Sequence, residues 1–135
     1  MSEKSIFTLE FKVRDYECDM QGIVNNANYQ HYMEHARHEF LHEVGLDFAE
    51  LTREGIILVV KRIEIDYLSS LRSGDLFTVS CEPVRISPLR FGFKQDIIRL
   101  SDQKPIINAF VTGTSINSKG RPFLPSQIDE IFRPH

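Results

Sequence analysis

Phe7, Leu9, Phe11 and Val13 alternate with Thr8, Glu10 and Lys12, the period-two pattern of a strand with one buried face. The period then changes. From Ala27 to about Val44, residues Tyr29, Met33, Ala36, Phe40 and Val44 recur at spacings of three and four, which predicts a helix with one apolar face, ended by Gly45. A shorter helix is predicted from Phe48 to Arg53, followed by Gly55. Period two then returns, with Ile63, Ile65 and Tyr67 alternating with Arg62, Glu64 and Asp66. Further strands are predicted from Leu76 to Arg85, Phe91 to Leu100 and Ile106 to Asn117. Turn chemistry at Ser87-Pro88, Ser101-Asp102 and Ser118-Lys119-Gly120 separates them, and a short helix is predicted from Ser126 to Ile131. One strand, one long helix and four further strands linked as hairpins form an α+β pattern. Its antiparallel sheet must bury an apolar face against the helix.

No repeat, low-complexity tract or linker interrupts these elements, so the 135 residues are read as a single domain spanning 1–135. A net charge of -3 gives no global basic character, which argues against nucleic acid as a partner. Two cysteines, Cys18 and Cys81, provide neither a disulfide framework nor a CxxC metal pattern, and a reduced cytoplasmic setting is expected. No apolar run is long enough to cross a bilayer, and the N-terminus MSEKSIFTLEF lacks the apolar core and cleavage site of a signal peptide.

The chemistry concentrates between Arg14 and Leu41, where a strand passes through a glycine turn into the long helix and sets Asp19 ahead of the helix N-terminus. Unpaired N–H groups at such an end can hold a developing oxyanion, and a carboxylate beside them can act as general base or nucleophile. That combination points to hydrolysis of an ester or thioester. The plainer reading of Asp19 is a turn or capping residue, and that of Asn25, Asn26 and Asn28 is helix capping.

Tyr16-x-x-Asp19-x-x-Gly22-Ile23-Val24-x-x-x-x-Tyr29, followed by Glu34-x-Ala36-Arg37, resembles the signature of the hotdog-fold acyl-CoA thioesterases, in the branch of 4-hydroxybenzoyl-CoA thioesterase and the Tol-Pal-associated thioesterases. Val59-Val60-Lys61, Asp66-Tyr67, Ser73-Gly74-Asp75, Arg121-Pro122 and Leu124-Pro125 extend the likeness over nearly the whole chain. The resemblance implies a hotdog fold, a long central helix wrapped by a five-stranded antiparallel sheet. It implies hydrolysis of an acyl-CoA or acyl carrier protein thioester, with Asp19 catalytic, Asn26 at the position of the main-chain oxyanion donor, and no metal or organic cofactor. A homodimer or dimer of dimers is implied as well, with Val60 of one subunit brought against the active-site turn of the other.

Asn25, Tyr29, Val60, Lys61, Arg85 and Arg90 are the expected substrate-binding positions, the cations serving the phosphates of coenzyme A. Tyr29 also lies on the apolar face, where a core role that positions the turn competes with contact to a ligand. Asn25-Asn26 departs from the aromatic residue and histidine common in that branch and is similar to related long-chain acyl thioesterases, which leaves the acyl preference open.

Three competing patterns are weighed. Cys18 has no histidine in short sequence range to activate it and reads as a small buried residue. His31-Tyr32-Met33-Glu34-His35 spells the H-x-x-E-H of inverted zinc peptidases. At about 100° per residue, however, His31, His35, His38 and His42 form a stripe opposite the apolar face. Glu34 reads as structural, paired with Arg37 or a neighbouring strand. Other functional readings are a noncatalytic acyl-thioester binder or adaptor, and a hotdog hydratase or dehydratase, against which the lack of histidine in the Asp19 turn counts.

Overall fold

The computed structural model describes residues 6–133, and the expectation about the first five residues lies outside them. The elements are β1 (Phe7–Lys12), a 3-10 turn (Asp15–Glu17), α1 (Asn26–Glu43), α2 (Phe48–Arg53), β2 (Ile57–Tyr67), β3 (Leu76–Ser87), β4 (Arg90–Arg99), β5 (Pro105–Ile116) and α3 (Ser126–Phe132). They build one five-stranded antiparallel sheet with α1 against it.

The strand order is β1-β3-β4-β5-β2, which corrects the expected run of four hairpin-linked strands. Only β3-β4 and β4-β5 are hairpins; β2 pairs with β5 and stands at the far edge from β3. The connection from Leu68 to Asp75 is too long for a tight turn and acts as a crossing strap. Leu68 and Ser69 N–H donate to Ile106 O, Leu71 is fully buried, and Val13 exchanges hydrogen bonds with Asp75 O and Gly74 N.

Both helix ends preceding β2 follow the same local physics. Gly45, at φ +93°, donates to His42 O, and Leu46 N–H donates to Leu41 O, so the orphan carbonyls of α1 are satisfied and two buried leucines meet. Val44 therefore lies beyond the helix and is exposed, contrary to its expected place on the apolar face. Asp47 then caps α2 by accepting from Ala49 and Glu50 N–H.

Tyr29, Met33, Ala36 and Phe40 are buried as the periodicity requires, and alternate residues of β4, from Phe91 through Phe93 and Gln95 to Ile97, face the same core. Gln95 is the polar member of that row. Its Nε2 donates to Met33 O, and its Oε1 accepts from Arg37 Nη1, both at 3.0 Å. Arg37 is only 7 % exposed, and burial depresses its pKa. Gln95, rather than Glu34, is thus the hydrogen-bonding partner of Arg37, and Glu34 is exposed.

Tyr29 is buried, and its hydroxyl accepts from Leu71 N–H at 2.9 Å while Leu71 O accepts from Val24 N–H. Its aromatic ring meets Tyr32 and Tyr67 edge-on. Tyr29→Phe should leave the Leu71 amide buried without an acceptor and cost about 1–3 kcal/mol, measurable as a lower urea midpoint with unchanged slope.

Candidate active site

The segment leading into α1 is a small hairpin. Cys18 bridges to Val24, Asp19 N–H donates to Ile23 O, and Asn25 N–H donates to Glu17 O. Gly22, at φ +79°, makes the reversal, and its N–H returns to Asp19 O. Asp19 Oδ1 accepts from Gln21 N–H at 2.8 Å and more weakly from Ile23 N–H at 3.4 Å. The side chain is therefore held by its own turn, as the plainer reading expects, while remaining exposed in the single chain. Tyr16 and Met20, on either side, are large apolar side chains that are also exposed.

Asn25 is the N-cap of α1, its side-chain oxygen accepting from Ala27 N–H at 2.9 Å. Asn28 N–H returns to Asn25 O, and Asn28 Nδ2 donates to Glu17 O. Asn26, the first helical residue, keeps its N–H without an acceptor among the described residues. Asp19, Asn25 and Asn26 thus share one hairpin-to-helix junction, with one main-chain donor unspent.

Beside this junction a cavity of about 330 Å³ runs along α1, lined by Ala27, Gln30, Glu34, Arg37, Val60 and Ile63 among others. A second, of about 180 Å³, shares Glu34, Arg37 and Val60 with it and continues between Leu41, Phe91 and Phe93. Val60 thus faces both cavities from β2 while its edge stays half exposed. Lys61 is the extra residue of a bulge, since Val60 pairs with Gly113 and Arg62 with Thr112, and it projects as an exposed cation.

Two other expected positions behave differently. Tyr29 is a core residue whose hydroxyl accepts from Leu71 N–H, which favours the core reading over contact with a ligand. Arg85 is not free for a phosphate: it pairs with Asp129 of α3 and donates to Ser87 O and Pro88 O. Arg90 is exposed. Both lie near the β3-β4 turn, whereas the opposite end of β3 pairs with Lys12 close to the Asp19 hairpin. At about 3.3 Å per residue, the two ends are roughly 30 Å apart. Within one chain Arg90 therefore does not reach the junction.

Cys18 is partly buried rather than fully so, and burial followed by the charges of Asp15, Asp19 and Glu17 raises its thiol pKa, which disfavours the thiolate. Cys81 is fully buried, and burial pushes its thiol up to about 12. A thiol reagent at neutral pH should leave Cys81 unlabelled in the native protein and label it after denaturation, checked by mass spectrometry. His31, His35, His38 and His42 are exposed on the outer face of α1; His35 lies 4.0 Å from Glu39 and edge-on to Phe11. Among the described residues no cluster of metal-ligating side chains is assembled, and no helix is long and apolar enough to cross a membrane.

The Arg37-Gln95 contact and the paired cavities were not singled out from sequence. The place of Gln95 in the buried alternation of β4 was the available signal.

Comparison with known proteins agrees with this architecture. A chloroplastic acyl-acyl carrier protein thioesterase of Arabidopsis thaliana is 41% identical over 125 residues, covering 92% of this chain and 66% of that protein. The chain thus spans just under two thirds of that plant relative. The long-chain acyl-CoA thioesterase FadM of Escherichia coli is 30% identical over 111 residues, covering 82% of this chain and 83% of its own length. A Staphylococcus aureus protein solved in complex with CoA superposes with a TM-score of 0.88 at 22% identity, covering 96% of this chain and 83% of that one, which establishes a common fold. With residues 13–132 matching its family model, the chain belongs to the thioesterase-like superfamily.

Proposed function

We propose that the protein hydrolyses an acyl thioester to a carboxylic acid and a free thiol carrier, with Asp19 and the Asn26 N–H as the reacting pair. The observation carrying this reading is the unspent Asn26 amide at the start of α1, beside a cavity that begins at Ala27 and joined to Asp19 by one hairpin. A thioester carbonyl laid over the helix start would place its oxygen on that amide. As general base, Asp19 takes a proton from water, the hydroxide adds to the carbonyl carbon, and the negative charge moves onto the oxygen held by Asn26 N–H. Collapse breaks the C–S bond, and the departing thiolate recovers the proton. As nucleophile, Asp19 would instead form a mixed anhydride that water then cleaves.

An exposed reactive carboxylate needs a cover, which in this reading is a second copy. The outer edge of β2 is unpaired among the described residues, and Ile57, Val60 and Tyr67 along it are exposed. Pairing of two such edges would extend the sheet and bring Val60 and the exposed Met20 and Tyr16 into an interface. Sedimentation analysis should give a dimer or dimer of dimers, and a catalytically active monomer would refute this assembly. Lys61, and Arg90 of a second subunit, are the cations offered to a phosphate-bearing carrier. Coenzyme A and acyl carrier protein both fit, because both present a phosphopantetheine thioester and because relatives are named for each. Free thiols at Cys18 and Cys81 suit a reducing cytoplasm.

The direct test is thiol release from acyl-CoA and acyl carrier protein thioesters by the purified oligomer. Saturable binding without thiol release from either carrier would replace the enzyme with an acyl-thioester binder.

A further inference from the structure

The two cavities along α1 are not lined alike. The outer one, nearer the helix start, meets exposed polar residues such as Gln30 and His31, whereas the inner one touches Glu34, Arg37 and the exposed His38 but is walled mainly by apolar side chains, among them Leu41, Phe48, Phe91, Phe93 and Val111. We infer that the inner cavity receives the far end of an unbranched aliphatic acyl chain, and that Phe91, seated over Gly113, is the stop that sets its maximum length. This rests on the thioesterase reading and adds a substrate class to it.

The length of α1 bounds the size of that chain. From Asn26 to Leu41 the helix rises about 22 Å at ~1.5 Å per residue; side chains lean back toward the N-terminus by up to a turn, leaving roughly 17–22 Å from the amide to the floor. C–C bonds of ~1.5 Å in a zigzag advance a little over an ångström each, so the path holds about 13–17 carbons. The far end of the chain therefore occupies the inner cavity of about 180 Å³, and the carbons nearer the carbonyl lie in the outer one. Gln95 holds the Arg37 guanidinium toward β4 at the junction of the two.

The floor is built to be firm. A Cβ on Gly113 would lie 2.9 Å from Phe91 Cε2 and 3.0 Å from Val59 O, so the glycine is what lets the Phe91 ring sit where it does. Behind that ring, Phe132 of α3 stacks at 4.3 Å and also meets Phe93 edge-on at 5.2 Å. Asp129, one turn earlier on α3, is held by Arg85 and Arg133. The ion pair that removes Arg85 from phosphate binding thus braces the helix backing the stop.

The test is a chain-length series of saturated acyl-CoAs from four to eighteen carbons, with thiol release giving kcat/KM for wild type, Phe91→Ala, Gly113→Ala and Leu58→Phe. Wild type should peak near 14–16 carbons, within the length the path holds, and fall tenfold or more within a few further methylenes. Phe91→Ala should move the cut-off to longer chains, and Gly113→Ala and Leu58→Phe to shorter ones, with thermal melts confirming that each is folded. Leu58 lines the cavity from β2 and is only partly buried, so its variant carries the test should Gly113→Ala fail to fold. An unchanged length profile in the folded variants would overturn the stop, as would a wild-type preference for aromatic or very short acyl groups. Absence of hydrolysis at every length, with the matching acyl carrier protein thioesters as well as the acyl-CoAs, would instead overturn the thioesterase reading itself.

Discussion

Asp19→Asn is expected to lower kcat by roughly 10²–10⁴-fold while leaving the melting temperature almost unchanged. The two halves of that expectation have separate causes. An asparagine Oδ1 can accept from Gln21 and Ile23 N–H as the aspartate does, so the turn and its entry into α1 should persist. What disappears is the negative charge that either removes a proton from water or attacks the carbonyl carbon. The measurement is thiol release at saturating substrate, which gives kcat, and again with enzyme in excess for a single turnover, alongside a melt. Near-native rates in a folded variant would remove Asp19 from the chemistry and leave the hairpin a capping structure. In ¹⁸O-labelled water under single turnover, label in the Asp19 carboxylate would identify an anhydride cleaved at the aspartyl carbon, whereas label confined to the product fits general-base hydrolysis and cleavage at the substrate acyl carbon alike.

The second large effect concerns stability. Gln95→Leu should cost about 2–4 kcal/mol, because it strips the one side-chain partner from a buried guanidinium and leaves Met33 O without its side-chain donor. Arg37→Met combined with Gln95→Leu should recover much of that loss, since replacing both polar partners by apolar groups removes the unpaired charge. Urea denaturation of the two single variants and the double gives a coupling energy directly. Additive losses would show that Arg37 draws its stabilisation from elsewhere, for example from water in the adjoining cavities.

How much of this was legible in the chain follows from the range of each interaction. Helix α1 begins one residue before the expected position and ends one residue before it, because Asn25 and Gly45 act through hydrogen bonds to immediate neighbours. The period-two segments located β3, β4 and β5 to within two residues at each end, since alternation reports which face of a strand is buried. Alternation carries no information on which strand lies beside which. The placement of β2 against β5 depends on a strap whose contacts reach Ile106 and Val13, far away in sequence. The ion pair of Arg85 was hidden for the same reason: its partner Asp129 is on the last helix, and nothing around Arg85 marks it as paired. Around Asp19 the motif identified the residues, but the carboxylate's use within its own turn and its exposure in a single chain emerge only from the fold.

The strap between Leu68 and Asp75 has a mechanical corollary. Leu71 donates its amide to the Tyr29 hydroxyl and its carbonyl accepts from Val24, so the Asp19 hairpin hangs from a cord whose upstream end is tied to the outermost strand. Fraying of that strand would slacken the cord before it disturbed the middle of the sheet. In a deuterium-uptake experiment on the diluted protein, the Val24 and Leu71 amides should therefore lose protection along with the edge, well ahead of Ile97 and Val111.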